Sequence, residues 1–589
     1  MKNIILTLLL AFPSMAKSQG IESPEWTKDL IVYEISTKNF TSPNGPGTGT
    51  FQSTQKKVPY LAELGINGVW LTGHNWADDK HFYGLWTQYA TIRPDSIDSS
   101  LGTKNDLKLM VDEFHKYDIK VFLDVVTHGV MNYSPLIAEN PKWFKSGSWG
   151  MTDYDWHGNH KDLDEWWVKT HVDYVLQQGI DGYRLDVSIY RPDLWYEIKR
   201  QCAEAGHPIV IFLEFERPSN NVCDFYQRSR KLSEQTHGID TILPAYANVA
   251  LGFKKKYENK SDYSIKVFYE DGSFDEGSSL RRGQLAVKIK NEPAVTMVSD
   301  VTFLENPDNV IDLLISNIDT TKKITKLRIH SDPKDGYHKW NLSSNELKAR
   351  QEHGDTLSLL LKPPAPQLQY YSVQLSAHDD GWDGFPSDRN PYVAEGSRCL
   401  FGYNCLLSPA IPLFMSGEEF NAGFSANPKL TPELFGKGEE GKGTWLYGAV
   451  IDWAELDEDE HRSMFNDVKK MISIRKSESD LLRSYTNDTL PDIFGLDYIA
   501  KIDLPVPFAI QNEHKIIIVI GNNTETDVKL TVKVPLKKVS INPDRTYVIQ
   551  DLWNDKKWEI PGKELENFQI NVTRDKVSSG GLAIFKITK

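Results

Sequence analysis

The stretch IDGYRLDV, residues 180–187, is a short apolar run that ends in an arginine and a carboxylate. Side chains two apart on a strand point to the same face, so a strand here would place Arg184 and Asp186 side by side. Similar runs occur before and after it, and segments with helical periodicity separate them. They are LIVYEI (30–35), INGVWLTG (66–73), IKVFLDVV (119–126) and IVIFLEF (209–215). Near-continuous apolar strands with helical crossovers predict a parallel sheet covered on both faces.

Five strand–helix units in a row favour either a barrel or a doubly wound α/β sheet. No G-x-G-x-x-G or Walker sequence opens a helix in this part of the chain, which argues against nucleotide binding. Strands of the same kind resume much later, in YYSVQLSAHDD (370–380) and AIPLFMSGEEF (410–420). Between the two parts, residues 254–366 alternate apolar and polar positions with turn signals, which predicts an antiparallel β insertion. The tail from about residue 500 has the same alternation and predicts a terminal all-β domain.

The composition limits the possible partners and the compartment. A formal net charge of −14 over 589 residues argues against nucleic acid or an anionic membrane surface as the main partner. Residues 1–20 carry a positive start at Lys2, an apolar run too short to span a bilayer, and small residues suited to cleavage. We therefore expect an export signal and a secreted or periplasmic protein without a membrane span. The four cysteines suit either disulfides or free thiols, and their spacing does not fit a zinc site.

Several predicted strands end in ionisable side chains, although an apolar strand does not need charge to fold. In a barrel the chemistry lies at the C-terminal ends of the strands. A guanidinium beside Asp186 would favour the ionised carboxylate that a nucleophile requires, and a buried Glu214 on the next strand could stay protonated as an acid. The strand-end residues are Asp124, His128, Arg184, Asp186, Glu214, His378 and Asp379.

Five short motifs occur in a fixed order along the chain. They are LDVVTH (123–128), DLD (162–164), GYRLDVSIY (182–190), IFLEFE (211–216) and SAHDD (376–380). In this order they resemble the motifs of the α-amylase superfamily, glycoside hydrolase family 13. The resemblance covers roughly residues 28–253 and 367–475. It implies an α/β fold, a (β/α)₈ TIM barrel, which here would carry the β-rich insertion and a C-terminal β-sandwich domain.

The resemblance also implies a retaining, α-amylase-like glycoside hydrolase that cleaves α-glycosidic bonds of oligo- or polysaccharides. Asp186 would be the nucleophile, Glu214 the acid/base, and Asp379 the carboxylate that stabilises the transition state. The substrate-binding residues would be Tyr83, His128, Arg184 and His378. The partner would be a carbohydrate substrate, with no redox or nucleotide cofactor, and the sequence leaves the oligomeric state open. The predicted domains are 1–20 (signal), 21–253 (barrel, first part, with a short B-type subdomain at about 129–161), 254–366 (insertion), 367–499 (barrel, second part) and 500–589 (sandwich).

Some points depart from the family pattern or stay open. LDVVTH lacks the Asn that helps many members hold a structural calcium ion, which argues against calcium here without excluding it. Ile189 and Tyr190 replace the Lys-His that α-glucan enzymes often carry, so starch specificity is not assured. Glu216 has the same strand parity as Glu214 and is the alternative acid/base. Trp76 could bind sugar or pack at the rim. Transglycosylation, or glycan binding without catalysis, are the alternative functions.

Overall fold

The computed structural model of the chain describes residues 23–45, 47–78, 89–148, 150–156, 158, 160–187, 190–214, 222–226, 264–281, 284–288, 296–298, 303–305, 311–314, 324–330, 340–343, 356–359, 370–374, 378, 397–406, 411–422, 424–426, 449–483, 492–502, 504–522, 524, 526–574 and 580–589. The predicted export signal therefore lies outside the described residues. Most of the strands between residues 264 and 374 are described here by their backbone pairing.

The first part of the chain alternates strands and helices. Its strands are β1 (Val32–Ile35), β2 (Gly68–Leu71), β3 (Asn75–Ala77), β4 (Thr91–Ile97), β5 (Lys120–Val125), β6 (Gly129–Met131), β7 (Phe144–Ser146), β8 (Met151–Tyr154), β9 (Gly182–Leu185), β10 (Val210–Leu213) and β11 (Phe225–Tyr226). Its α-helices are α1 (Phe51–Gln55), α2 (Val58–Leu64), α3 (Lys104–His115), α4 (Pro135–Glu139), α5 (Lys161–Gln178) and α6 (Pro192–Glu204). Short 3₁₀ helices cover Glu25–Asp29 and Pro141–Trp143.

The middle of the chain adds two antiparallel sheets before the parallel strands resume. Its strands are β12 (Ser264–Tyr269), β13 (Phe274–Arg281), β14 (Gln284–Lys288), β15 (Thr296–Val298), β16 (Phe303–Glu305), β17 (Ile311–Leu314), β18 (Ile324–His330), β19 (Trp340–Ser343), β20 (Thr356–Leu359), β21 (Tyr370–Gln374), β22 (Ile411–Met415), β23 (Phe424–Ala426) and β24 (Ala449–Ile451). The first sheet has the order β15-β14-β13-β12-β18-β19 and the second β16-β17-β20. The predicted β-rich insertion is thus a pair of antiparallel sheets.

Eight parallel strands close into a barrel in the order β1-β2-β5-β9-β10-β11-β21-β22. The predicted (β/α)₈ fold class is confirmed. The insertion enters between the sixth and seventh barrel strands, β11 and β21. The sequence did not reveal β11, because only Phe225 and Tyr226 pair with the neighbouring strands.

The barrel strands are buried on both faces, which explains their continuous apolar runs. One set of side chains fills the lumen, including Val32, Trp70, Phe122 and Phe212. The alternate set packs outward against the helices. Helix α3 shows the matching pattern, because its buried apolar residues recur every three or four positions and Thr103 caps its N-terminus. At the start of β9, Gly182 has φ 153°, and a Cβ there would lie 1.8 Å from the Val210 carbonyl oxygen. Only glycine therefore permits this close pairing of β9 with β10.

The last part of the chain packs a β-sandwich against the barrel. Its elements are α7 (Ser397–Leu406), α8 (Asp459–Ser477), α9 (Ser479–Leu482), β25 (Asp492–Gly495), β26 (Asp497–Ile499), β27 (Phe508–Gln511), β28 (Lys515–Gly521), β29 (Val528–Lys533), β30 (Thr546–Asp551), β31 (Lys556–Pro561), α10 (Gly562–Leu565), β32 (Phe568–Val572) and β33 (Leu582–Thr588), with 3₁₀ helices at Glu418–Phe420 and Trp453–Asp457. The sheets β25-β27-β28-β33-β30-β31 and β26-β29-β32 share one hydrophobic core. They include β25 and β26, which lie before residue 500. The predicted domain boundaries stay predictions.

Candidate active site

The guanidinium of Arg184 lies at the centre of a group of carboxylates in the barrel lumen. Its side chain is 0% exposed, and its NH1 nitrogen donates to Asp186 Oδ1 at 2.9 Å and to Asp124 Oδ1 at 3.1 Å. Its NH2 nitrogen lies 3.0 Å from Glu214 Oε2. One cation thus contacts three carboxylates, which come from the third, fourth and fifth barrel strands or directly follow them. We call this group the Arg184 cluster: Arg184, Asp124, Asp186 and Glu214.

Asp186 and Glu214 directly follow β9 and β10. The backbone of Val187, the residue after Asp186, contacts the Glu214 side chain. Val187 has φ 57°, a left-handed conformation that is strained for a β-branched residue. In this conformation the Val187 N–H donates to Glu214 Oε2 at 2.7 Å. The backbone after the predicted nucleophile therefore holds the predicted acid/base in place. Backbone strain of this kind is typical of functional sites.

The environment of Glu214 favours its protonated form. Burial raises the pKa of this carboxyl; the Arg184 guanidinium opposes the increase and the Asp186 carboxylate adds to it, so that the pKa lies above its ordinary value. The Glu214 side chain is 12% exposed and that of Asp186 17%, so both remain accessible from the open end of the barrel. Two carboxyl groups that share one cation, with Glu214 shifted toward the neutral acid, suit acid/base work with a nucleophile.

Tyr89 links the Arg184 cluster to His378, and the sequence did not indicate Tyr89 as a site residue. Its hydroxyl donates to Asp124 Oδ2 at 2.7 Å and lies 3.2 Å from His378 Nε2. Arg184 also donates to this hydroxyl at 3.2 Å. The indole N–H of Trp70 donates to the same Asp124 oxygen at 2.9 Å. Asp124 is therefore held by three kinds of donor, although no local signal in TQYATI (87–92) marks Tyr89 as part of the site.

His378 lies between Tyr89 and a second residue that the sequence did not single out, Glu34. The Nδ1 atom of His378 lies 2.5 Å from Glu34 Oε1, and both side chains are almost fully buried. Because Glu34 accepts at Nδ1, the ring keeps its Nε2 side toward the lumen. The available signal was a glutamate inside the apolar run LIVYEI, where an unpaired charge would be costly.

The remaining predicted residues are placed differently. His128 lies beside the small sheet β6-β8-β7, with its Nδ1 3.4 Å from Asp153 Oδ1 and 14% of its side chain exposed. Tyr83 and Asp379 lie outside the described residues, as do Glu216 and Ile189. The structure therefore brings Arg184, Asp186, Glu214 and His378 together. It places His128 beside the small sheet and does not describe Tyr83 and Asp379.

Two further expectations concern metal ions and cysteines. Among the described residues, no group of three or more His, Cys, Asp or Glu side chains is arranged to hold a metal ion. The four cysteines are all described, and each is a buried free thiol, so the structure contains none of the possible disulfides. In the segment of the predicted B-type subdomain, Trp143 and Trp156 belong to the core, because each is 6% exposed.

Comparison with known proteins finds a similarity to α-amylases in a part of the chain that contributes to this site. The family model described as the alpha-amylase catalytic domain matches residues 34–146, which include Glu34, Tyr89 and Asp124. Over these residues the chain is similar to the catalytic domain of the α-amylase superfamily. Solved structures with the same fold include a maltogenic α-amylase from Thermotoga neapolitana, with a TM-score of 0.55 and 14% identity over 95% of this chain and 99% of that one. A cyclomaltodextrinase structure has a TM-score of 0.56 and 15% identity, covering 97% and 80%.

Curated relatives match over a shorter stretch. A maltogenic α-amylase of Bacillus acidopullulyticus is 27% identical over 44% of this chain and 50% of its own length. An oligo-1,6-glucosidase of Parageobacillus thermoglucosidasius is 32% identical over 28% and 35%, and an intracellular maltogenic amylase of Bacillus subtilis is 25% identical over 34% and 40%. The match thus spans half or less of the length of these relatives. No helix among the described residues is long and apolar enough to cross a membrane.

Proposed function

We propose that this protein is a retaining glycoside hydrolase that cleaves α-glycosidic bonds in glucose-type oligo- or polysaccharides. The observation that carries the proposal is the contact of one buried guanidinium with both Asp186 and Glu214 at the C-terminal ends of adjacent barrel strands. The relatives named maltogenic amylase, cyclomaltodextrinase and oligo-1,6-glucosidase support an α-glucan as the substrate class.

The reaction proceeds by two displacements. In the first, an Asp186 oxygen forms a bond to the anomeric carbon while the glycosidic C–O bond breaks and the leaving oxygen takes the proton of Glu214. In the second, Glu214 removes a proton from water, the water oxygen attacks the same carbon, and the ester to Asp186 breaks. Arg184 holds the Asp186 carboxylate in its ionised form before the attack. Following the family pattern, Asp379 stabilises the positive charge of the transition state, and Tyr83, His128 and His378 bind the sugar. Water and the carboxyl pair suffice, so no redox or nucleotide cofactor is needed.

We also propose that the chain is exported to the periplasm or beyond the cell. The support is the N-terminal composition, with Lys2 followed by the apolar run of residues 4–12. Because one relative is named an intracellular maltogenic amylase, the compartment is tested directly. Mass determination of the protein recovered from each cell fraction identifies whether the first twenty or so residues have been removed.

The experiment that tests the proposed function compares wild type with Asp186→Asn on starch, pullulan, dextran, maltotriose, cyclic glucans, sucrose and trehalose. We expect sugar release by wild type and a loss of at least about a thousandfold in the variant. Asp112→Asn is the matched control, because Asp112 lies on the exposed side of α3 and its loss should leave the rate unchanged. A fluorinated glycosyl fluoride, which accumulates the glycosyl-enzyme, should add one sugar mass to the peptide with Asp186.

Three results would contradict the proposal in different ways. Full activity of Asp186→Asn would show that the nucleophile is another residue. Glycan binding without cleavage by wild type would favour the non-catalytic alternative. Longer products in the presence of an added sugar acceptor would favour transglycosylation.

A further inference from the structure

A glutamate of the first barrel strand contacts a histidine that follows the seventh. Glu34 Oε1 lies 2.5 Å from His378 Nδ1, and the two side chains are 0% and 2% exposed. In the register of β1 and β2, Glu34 is the partner of Trp70. The Trp70 and His378 rings pack edge to face, with their centroids 5.5 Å apart. The first two barrel strands therefore fix the place and the orientation of the imidazole ring.

The hydrogen bonds of the His378 ring determine where its protons lie. On the lumen side, Nε2 lies 3.2 Å from the Tyr89 hydroxyl oxygen. That hydroxyl has one proton, which it donates to Asp124 Oδ2 at 2.7 Å, so it accepts from Nε2. On the other side of the ring, Nδ1 donates to the Glu34 carboxylate. A histidine that donates from both nitrogens is the positively charged imidazolium.

Tyr89, which accepts from the ring, is itself held in place. It lies directly before β4, in the hairpin β3–β4, and its ring centroid is 5.4 Å from that of His378. It packs against a small apolar cluster that lies between this hairpin and the sheet β6-β8-β7. The members of the cluster are Ala90, Ile92, Val126, Met131 and Met151. The acceptor for Nε2 therefore has a rigid support.

A charged His378 matters because the Arg184 cluster contains three carboxyl groups and one guanidinium. Burial raises the pKa of Asp124 and of Glu214. The guanidinium opposes this increase, and the positive charge of His378 opposes it further. The ring presents its Nε2 side to Tyr89 and Asp124, whereas the negative charge of Glu34 lies on the far side of the ring. The pair thus directs its positive end toward the cluster.

The fold itself does not require an acid at position 34. Glutamine has the same size and would donate to Nδ1 from its amide, which would leave a neutral ring with its proton on Nε2. Burying two opposite charges carries a desolvation penalty, and neutral groups of similar volume often give equal or greater stability. The buried charge of Glu34 therefore indicates a functional demand on His378.

We propose that Glu34 is a positioning residue that holds His378 as an imidazolium, with its Nε2–H on the side of Tyr89 and the Arg184 cluster. The proposal rests on the proposed function, because a positive ring favours the ionised Glu214 that the second displacement requires. The pair keeps its protons through both displacements. The titratable or charged groups described on this side of the lumen include Glu34 on β1, Tyr89 before β4, Asp124 on β5, Arg184 on β9, and Asp186 and Glu214 after β9 and β10.

The test compares the pH dependence of kcat/KM for wild type and Glu34→Gln on maltotriose. We expect the decrease at high pH to move upward by about half a pH unit to one unit, because a neutral His378 no longer lowers the pKa of Glu214. His378→Gln should move it in the same direction. Adding Glu34→Gln to His378→Gln should move it no further, because Glu34 acts through the ring. Glu419→Gln is the matched control: Glu419 is also buried but accepts from Tyr33 on the outward face of β1, so the profile should not move.

The charge of His378 is measured separately from turnover, by nitrogen NMR of protein that carries isotope-labelled histidine. The signals of this ring are those that disappear in His378→Gln. We expect both ring nitrogens to be protonated in wild type at pH 7. In Glu34→Gln the ring should lose its second proton about one pH unit lower or more, because the carboxylate that favours the charged form is gone.

The two proposals fail separately. If wild type cleaves no glucan but its ring is charged and that of Glu34→Gln is neutral at pH 7, the hydrolase proposal falls and the control of His378 by Glu34 stands. A neutral ring in wild type, or a pH profile of Glu34→Gln that coincides with that of wild type, would overturn the inference. Thermal unfolding of each variant checks folding. If Glu34→Gln does not fold, the wild-type ring signals and the profile of His378→Gln still decide the question.

Discussion

Neighbouring residues of the first barrel strand lead to two different groups of buried carboxylates. Glu34 points into the lumen and contacts His378 beside the Arg184 cluster, whereas Tyr33 points outward and donates to Glu419 at 2.9 Å. Glu419 also accepts from the Tyr60 hydroxyl at 2.5 Å and from the Gly417 N–H at 2.9 Å. We call this outer group the Glu419 cluster: Glu419, Tyr33, Tyr60 and Gly417.

The two groups differ in what offsets the free-energy cost of burying a carboxylate. Inside the barrel, one guanidinium contacts three carboxyl groups and compensates part of their negative charge where sugar chemistry is proposed. Outside, Glu419 is held by neutral donors, and burial raises its pKa to about 7. Lys57 is close enough for its charge to interact with Glu419, but its own pKa is lowered by burial. A buried carboxylate with a cation can thus stay ionised, whereas one with neutral donors tends to take up a proton.

The largest effect is expected from removing the cation of the inner group. Arg184→Met leaves Asp124, Asp186 and Glu214 uncompensated, which should lower the free energy of unfolding by about 3–5 kcal/mol. Activity should fall by at least about a thousandfold, because the carboxyl pair loses its arrangement. Urea unfolding and glucan hydrolysis measure the two effects.

The matched control for this variant is Lys199→Met. Lys199 forms a buried ion pair with Asp224, 2.8 Å apart, which lies next to the N-terminal ends of the barrel strands. Its loss should cost similar stability and leave the rate per folded molecule unchanged. Wild-type hydrolysis by Arg184→Met would show that the inner carboxylates do not need their cation.

Glu214→Gln should reduce hydrolysis of natural glucans by about a hundredfold to ten-thousandfold, the usual contribution of a general acid. Cleavage of a glycosyl fluoride should fall less, because fluoride leaves without a proton. Because the acid must be protonated, the kcat/KM of wild type should decrease when the pH rises through the raised pKa of Glu214. This decrease at high pH should be missing in the variant. If the decrease of kcat/KM at high pH persists in Glu214→Gln, the acid is Glu216 instead. Glu216→Gln in the same assays provides the direct comparison.

The outer group should make a smaller contribution, visible in the pH dependence of stability. Because folding raises the pKa of Glu419 from 4.5 to about 7, its contribution is fully present below about pH 4.5 and is lost as the pH rises through 7. At about 1.4 kcal/mol per pH unit, the loss is on the order of 3 kcal/mol. Urea unfolding between pH 4.5 and 7.5 measures it.

Glu419→Gln should remove this part of the pH dependence, whereas Glu460→Gln, a change at an exposed glutamate in the first turn of α8, should retain it. The difference between the two variants isolates the Glu419 contribution from that of other carboxyl groups. Parallel curves for wild type and Glu419→Gln would show that Tyr33 and Tyr60 stabilise the ionised carboxylate after all.

Much of this arrangement follows from local sequence. The apolar runs predicted seven of the eight barrel strands, because strands buried on both faces need continuous apolar side chains. The two-residue spacing of Arg184 and Asp186 predicted that they share a face, which is a property of any strand. The sixth strand was missed, since Phe225 and Tyr226 are too few to produce a pattern.

The tertiary structure alone decided which distant side chains meet in the lumen. Glu34 and His378 lie 344 positions apart in the chain, and they meet because the first and eighth strands pair to close the barrel. Tyr89 reaches Asp124 because packing of the hairpin against the small sheet fixes its direction. Periodicity and residue type act over a few neighbouring residues and therefore set the strands and their faces. Contacts between strands depend on barrel closure and on the packing of the loops above it, for which single-sequence patterns carry no signal.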